Sequence, residues 1–269
     1  MAYTTINKST AHFNTKTYSG TTNSSDAISG IGFQPDLVWL KSRSNAAWHI
    51  WTDAVRGVDS QIYSNSTSAA GSLTNYLESF DSDGFTINNN TDINGSGKTF
   101  VGWSWKGGNS AGSSNTDGDI TSTVSVNTTA GFSICKWSGS GSAGTIGHGL
   151  GAVPKMIIAK RIIGGVRNFP IYHSALGNDK KMYLNDSQAE SSSTNWNSTT
   201  PTNQVFSIGS ADDINGSGST YIAYCFAEKK GYSKFGSYTG NGNADGTFIY
   251  TGFKPAFFLA KETTTSNWF

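Results

Sequence analysis

The chain has 269 residues and a formal net charge of +1, with 14% charged residues and 32 Gly. Its longest basic runs are Lys180-Lys181 and Lys229-Lys230, which excludes a nucleic-acid footprint, and no apolar run approaches the ~18 residues of a membrane span. Aromatic residues make up 13%, including eight Trp and fifteen Phe, which excludes a disordered Gly/Ser polymer and provides for a sizeable core.

The start, Met1-Ala2-Tyr3-Thr4-Thr5, has neither a basic n-region nor an apolar h-region, so synthesis in a cytoplasm without a secretory leader is expected. The first marker along the chain is Tyr18-Ser19-Gly20. Next comes Gly32-Phe33-Gln34-Pro35, whose proline suits the entry to a strand, and then Leu37 to Leu40, an apolar run that reads as a strand buried on both faces. A turn or two of helix fits residues 69–80. Phe85-Thr86-Ile87 reads as a strand joined as a hairpin, through the turn Asp92-Ile93-Asn94-Gly95-Ser96-Gly97, to an alternating strand over 100–105. In that strand Val101, Trp103 and Trp105 form a bulky face, opposite a face that ends in small residues.

These markers recur. Gly151-Ala152-Val153-Pro154 leads to Lys160, and Gly252-Phe253-Lys254-Pro255 leads to Lys261, as the first set leads to Lys41. Asp-Ile-Asn-Gly-Ser-Gly returns unchanged from Asp213 to Gly218, and Tyr18-Ser19-Gly20 returns as Trp137-Ser138-Gly139 and Tyr238-Thr239-Gly240. Self-similarity at this spacing marks tandem copies of one unit. The expected organisation is a first module over 1–106, a flexible Gly/Ser/Asn-rich linker over 107–118, a second module over 119–230 and the opening of a third over 231–269. Because the chain stops inside the third copy, a longer natural product is expected. Short strands and Gly-rich turns point to an all-β fold of tandem antiparallel β-sandwich modules, jelly-roll or lectin-like. Cys135 and Cys225 fall in strands and are expected as buried free thiols.

Chemistry is sparse. Asp92 opens half of a calcium loop, but Trp103 stands where a bidentate Glu is needed, with Tyr224 at that place in copy two, so a plain turn is the better reading. Asp81, Asp83, Asp92 and Asp213 remain the metal candidates, with calcium the one cofactor they would serve. The four His have no partner spacing for zinc and read as surface or structural residues. No carboxylate pairing repeats, and no nucleophile elbow or phosphate loop occurs, so no catalytic residue is expected. Sugar-stacking candidates are Trp48, Trp51, Trp137 and Trp196, the last in a stretch without a counterpart in copy one. Trp48 aligns with Phe169 and Trp268, and an aromatic that recurs in this way is expected in the core.

Gly32 to Lys41, Asp53-Ala54-Val55-Arg56-Gly57, Ser79-Phe80-Asp81-Ser82-Asp83-Gly84 and Val101-Gly102-Trp103-Ser104-Trp105-Lys106, together with Ile146 to Lys155 in copy two, resemble a tandem module of marine bacteriophage virion proteins. Copy two lacks the Asp-x-Val-Arg-Gly and Phe-Asp-Ser-Asp-Gly segments. The resemblance implies a non-enzymatic virion component, made in the host cytoplasm: a tail-fibre or appendage protein that attaches to the host surface, with a capsid decoration or head-fibre protein and a glycan-cleaving tailspike as alternatives. Implied partners are other tail or capsid proteins and a host surface glycan or receptor, with assembly as a homotrimer.

Overall fold

The computed structural model describes residues 4–266 and 268. Met1-Ala2-Tyr3, on which the expectation about a secretory leader falls, and Asn267 and Phe269 in the third copy lie outside the described residues. The first unit runs β1 (Phe13–Ser19), β2 (Asp26–Ser29), β3 (Leu37–Ser42), β4 (Ile50–Asp53), β5 (Ser60–Tyr63), β6 (Gly71–Ser72), β7 (Leu77–Asp81), β8 (Gly84–Ile87), a helical turn α1 (Thr91–Asn94) and β9 (Thr99–Trp105). The second runs β10 (Ser113–Asn115), β11 (Ser122–Asn127), β12 (Phe132–Ser138), β13 (Gly144–Gly147), β14 (Pro154–Ile163), β15 (Pro170–His173), β16 (Lys180–Tyr183), β17 (Ser191–Ser192), β18 (Val205–Ile208), α2 (Asp212–Asn215) and β19 (Thr220–Ala227).

The fold is all-β, and each unit is an antiparallel sandwich of one large and one small sheet. Unit one pairs β1-β9-β3-β4-β5-β6 against β2-β8-β7, and unit two pairs β10-β11-β12-β19-β14-β15-β16-β17 against β13-β18. Register repeats with the sequence: Leu37 faces Trp105 across β3 and β9, and Met156 faces Phe226 across β14 and β19.

The alternation along β9 and β19 decides what each face does. In β19, Tyr221, Ala223 and Cys225 point into unit two's own interior, with Trp137, Phe206 and Ile208. Ile222 and Tyr224 point the other way, into a second interior shared with Leu37, Trp51 and Ile62 of unit one. Val38, Leu40, Phe85 and Ile87 fill unit one's private core. The two large sheets therefore pack face to face, giving four β layers with three apolar interiors. The bulky faces make the shared interior, and the small faces let the small sheets come close. Both cysteines are buried free thiols.

Three local expectations are corrected. The Asn-Gly-Ser-Gly segment does not close a hairpin: β8 pairs with β2 and β7 while β9 pairs with β1 and β3, so the segment carries the chain from the small sheet to the large one. The two sequence markers meet at this corner. Asn94 accepts from Thr21 N through Oδ1 and donates to Asn23 O, and in unit two Asn215 accepts from Ser140 N and donates to Ser142 O and Gly209 O. A Cβ on Gly20 would lie 2.3 Å from Gly95 O, and one on Gly139 2.3 Å from Gly216 O, so only glycine fits the first marker. Residues 69–80 are extended, forming β6 and the start of β7 instead of helix. Residues 107–118 are anchored: Gly107 N donates to buried Asp36, Gly108 N to Ser125, and Ser113 to Asn115 pair with β11.

One junction joins successive copies. Ala70 N donates to Ile162 O at 3.2 Å, and Glu190 N donates to Thr263 O at 2.9 Å. Arg167 N donates to Thr67 O, as Ser266 N does to Ser187 O. The repeated lysine completes the pattern, since Lys160 donates to Thr67 O and Arg167 O, and Lys261 to Asp186 O and Ser266 O. This is a head-to-tail contact made twice. Phe257 of the third copy packs against Trp105 (5.5 Å between centroids) and Phe13 (5.7 Å) of unit one, while its neighbour Phe258 points outward, 61% exposed.

Lys160 is fully buried beside Phe169, and that burial lowers its pKa to about 7. Between that value and its unfolded pKa the unfolded chain holds more protons, so stability rises with pH in this window. Urea denaturation at pH 7 and pH 9 should show a gain of about 2 kcal/mol in the wild type that is missing in Lys160→Met. Parallel profiles would contradict the burial of this ammonium group.

Candidate functional site

The carboxylates singled out in the sequence lie apart and are engaged by their own neighbours. Asp81 accepts from Ser79 and Thr86, Asp83 from the backbone N–H groups of Gly30 and Gly32, and Asp92 from Tyr76 Oη. Asp213 accepts from Lys181 and Tyr183. Among the described residues, no group of three or more His, Cys, Asp or Glu gathers to hold a metal. His148 is fully buried, its Nδ1 accepting from Leu150 N and its Nε2 lying 3.2 Å from Thr202 O.

The tryptophan candidates need correction. Trp51, Trp137 and Trp196 are 2%, 2% and 1% exposed, so none presents a ring face to a sugar. Trp51 meets Tyr224 edge-on at 4.8 Å in the shared interior, Trp137 stacks on Tyr221, and Trp196 meets Tyr172. Trp48, expected in the core, is 46% exposed beside Tyr63. Its apparent alignment fails because His49 holds the place of Phe169: Asn65 Oδ1 accepts from His49 N as Asn185 Oδ1 accepts from Phe169 N.

A buried polar network spans the shared interior. Arg56 Nε lies 2.5 Å from Asp53 Oδ2, both side chains being at most 1% exposed. Tyr224 of unit two donates to Asp53 Oδ2 at 2.7 Å and accepts from Arg56 Nη2 at 3.3 Å. Burial alone would lower the Arg56 pKa, but the Asp53 charge outweighs it and keeps it above its usual value; burial also pushes the Tyr224 phenol well up. Copy two has His173 and Leu176 in place of Asp53 and Arg56. Thus one side supplies the ions and the other the hydroxyl. The network fixes how the sheets face each other and offers no access to a substrate.

The site with access lies on unit two, between the sheet edge at β16 and β17 and the turn α2. It is a cleft of about 710 Å³, lined by Arg167, Asp179, Lys181, Asn195, Asp212 and Asp213, with hydroxyl groups from Ser192 to Thr194. Asp212 Oδ2 accepts from Arg161 Nη1 at 2.8 Å and also from Arg167 Nη2. Lys181 lies 2.9 Å from Asp213 Oδ2; burial opposes its charge, but Tyr183 and Asp213 still hold its pKa above the usual value. At the matching place in unit one the polar groups satisfy one another. Gln61, paired in register as Lys181 is, bonds Val58 O and Leu73 O, and Tyr76 Oη caps Asp92. The sequence hid this cleft because its residues come from four separated segments, and the only available signal was that Gln61 and Leu73 become Lys181 and Ser193 within a conserved repeat frame.

A family model described as Domain of unknown function (DUF7483) matches residues 8–269. No curated protein and no solved structure matches the chain. Among the described residues, no helix is long and apolar enough to cross a membrane.

Arg56→Leu would leave Asp53 buried without its counter-charge and should cost about 3–5 kcal/mol in thermal or urea unfolding. Tyr224→Phe removes a hydroxyl alone and should cost about 1–3 kcal/mol. Losses under 1 kcal/mol in both would show that the large sheets do not bury this network.

Proposed function

The chain belongs to the DUF7483 family, and on that premise we propose that it is a non-catalytic structural protein of a bacteriophage virion, a tail-fibre or appendage component that contributes to host-surface attachment. The observation that carries this reading is the repeated junction. The same backbone donor, the same acceptor position and the same lysine join copy one to copy two and copy two to copy three. A contact reused in this way builds an array, and its cost of ordering is met by the apolar interior shared across it. The motifs that resemble phage virion modules sit at the structural positions the array needs: Pro35 and Pro154 lead into β3 and β14, Asp53 and Arg56 lie in the shared interior, and the Asn-Gly-Ser-Gly corners link the sheets. Asp81, Asp83 and Asp92 are committed to hydrogen bonds within unit one.

A capsid decoration protein is the second reading. It is favoured by the back-to-back packing of the two large sheets, which shortens the molecule relative to modules strung on a free tether.

Intact particles labelled with an antibody against this chain and imaged in negative stain should carry label on the tail or its appendages. Label on the shell would replace the first reading with the second, and unlabelled particles would end both. Incubation with host surface glycan should release no reducing ends, and release would establish a tailspike instead.

A further inference from the structure

We infer that the cleft beside α2 in unit two is a binding site for an acidic saccharide, a carboxylate-bearing sugar chain. The inference rests on the attachment reading for its biological sense, but its chemistry stands on the cleft itself.

Hydrogen-bond supply around the cleft is unbalanced. Asn195 lines it, is 2% exposed, and has a buried Nδ2 without a partner. Leaving such a group unsatisfied costs about 1–3 kcal/mol, which an acceptor on a bound ligand would recover. This N–H donor, in a wall of hydroxyl and charged groups, calls for a ligand rich in oxygen.

The rim adds charge of both signs. Arg167, 38% exposed at its side chain, divides itself between Asp212 and Asp213, at 3.7 Å from Asp213 Oδ1. Lys181 and Tyr183 share the other oxygen of Asp213. Guanidinium and ammonium groups can turn to an incoming carboxylate, which frees the aspartates and the Ser192 to Thr194 hydroxyls to accept from sugar hydroxyls. An apolar ligand would strand these groups, and a simple inorganic anion would leave the aspartates unused. A chain of sugar acids satisfies both kinds of group, and the cleft volume falls within the ~300–1,000 Å³ usual for small-ligand sites.

Comparison with unit one supports a purpose beyond the fold. The same sandwich is built there with Gln61 bonding Val58 O and Leu73 O and Tyr76 bonding Asp92, so the cations of unit two are not required by the architecture.

The test is titration calorimetry of the full chain with oligogalacturonate, a neutral malto-oligosaccharide and inorganic phosphate. Saturable binding of oligogalacturonate alone is expected, weakened about 10- to 100-fold by Arg167→Gln and by Lys181→Gln, the latter installing unit one's own residue. Arg167 is partly exposed, so its variant should keep the wild-type thermal transition and separate lost binding from lost folding. Absence of oligogalacturonate binding, equal binding of the neutral sugar, binding of phosphate alone, or wild-type affinity in both variants would each overturn the site. Adsorption to bacterial envelopes separates this from the attachment reading: equal adsorption by wild type and Arg167→Gln removes the cleft and leaves attachment, whereas absent adsorption removes attachment and leaves the calorimetry to decide the cleft.

Discussion

The central strands of the two large sheets have to satisfy two interiors at once. In β9 and β19 one set of side chains closes a sandwich and the alternate set closes the space between sandwiches, a division that a period of two enforces and that a one-residue slip would invert. Leu37, Trp51, Ile134, Ile158, Ile222 and Tyr224 meet in that shared space, all at most 2% exposed. At roughly 1.5–3 kcal/mol for each large apolar side chain buried, this interior outweighs anything the surface ion pairs contribute, since exposed pairs are worth about 0–1 kcal/mol. The neighbouring copies are held first by apolar area and only then by hydrogen bonds.

What the hydrogen bonds supply is orientation. Apolar faces slide, whereas the Asp53, Arg56 and Tyr224 network has one good geometry, and breaking it strands a charge inside. The junction works in the same sense: Lys160 and Lys261 each tie a strand end to the loop of the preceding copy. Asp36 then holds the start of the connector through Gly107 N and Ser110 N and reaches Ser125 of unit two, so the chain between the copies is part of the packing.

The repeat, the sandwich class and the bulky-against-small alternation were legible because they are local patterns. Val101, Trp103 and Trp105 announce a two-sided strand without any knowledge of its neighbours. The purpose of the bulky face was not legible, since nothing near Trp105 states that another sheet will cover it. Long-range partners also explain the misreadings. Trp196 lies in a polar stretch yet is drawn inside by Tyr172. The Gly/Ser/Asn connector has a linker's composition but is held by Asp36, 71 residues away from Gly107. The Asn-Gly-Ser-Gly turn has a hairpin's composition but serves as a corner, because the Asn94 and Asn215 amides collect carbonyls from other loops. Of the candidate site, Asp213 alone was singled out in advance.

Division of labour between equivalent units follows from this. Unit one closes its edge on itself with Gln61 and carries the buried ions of the shared interior. Unit two supplies the hydroxyl to that interior and opens a charged cleft on its outer edge. The sandwiches form one cooperative body because their large sheets share an interior, and differential scanning calorimetry of the full chain distinguishes this from two independent units. A single transition whose calorimetric and van't Hoff enthalpies agree is the result expected, and two resolved transitions, each with the enthalpy of one sandwich, would contradict it.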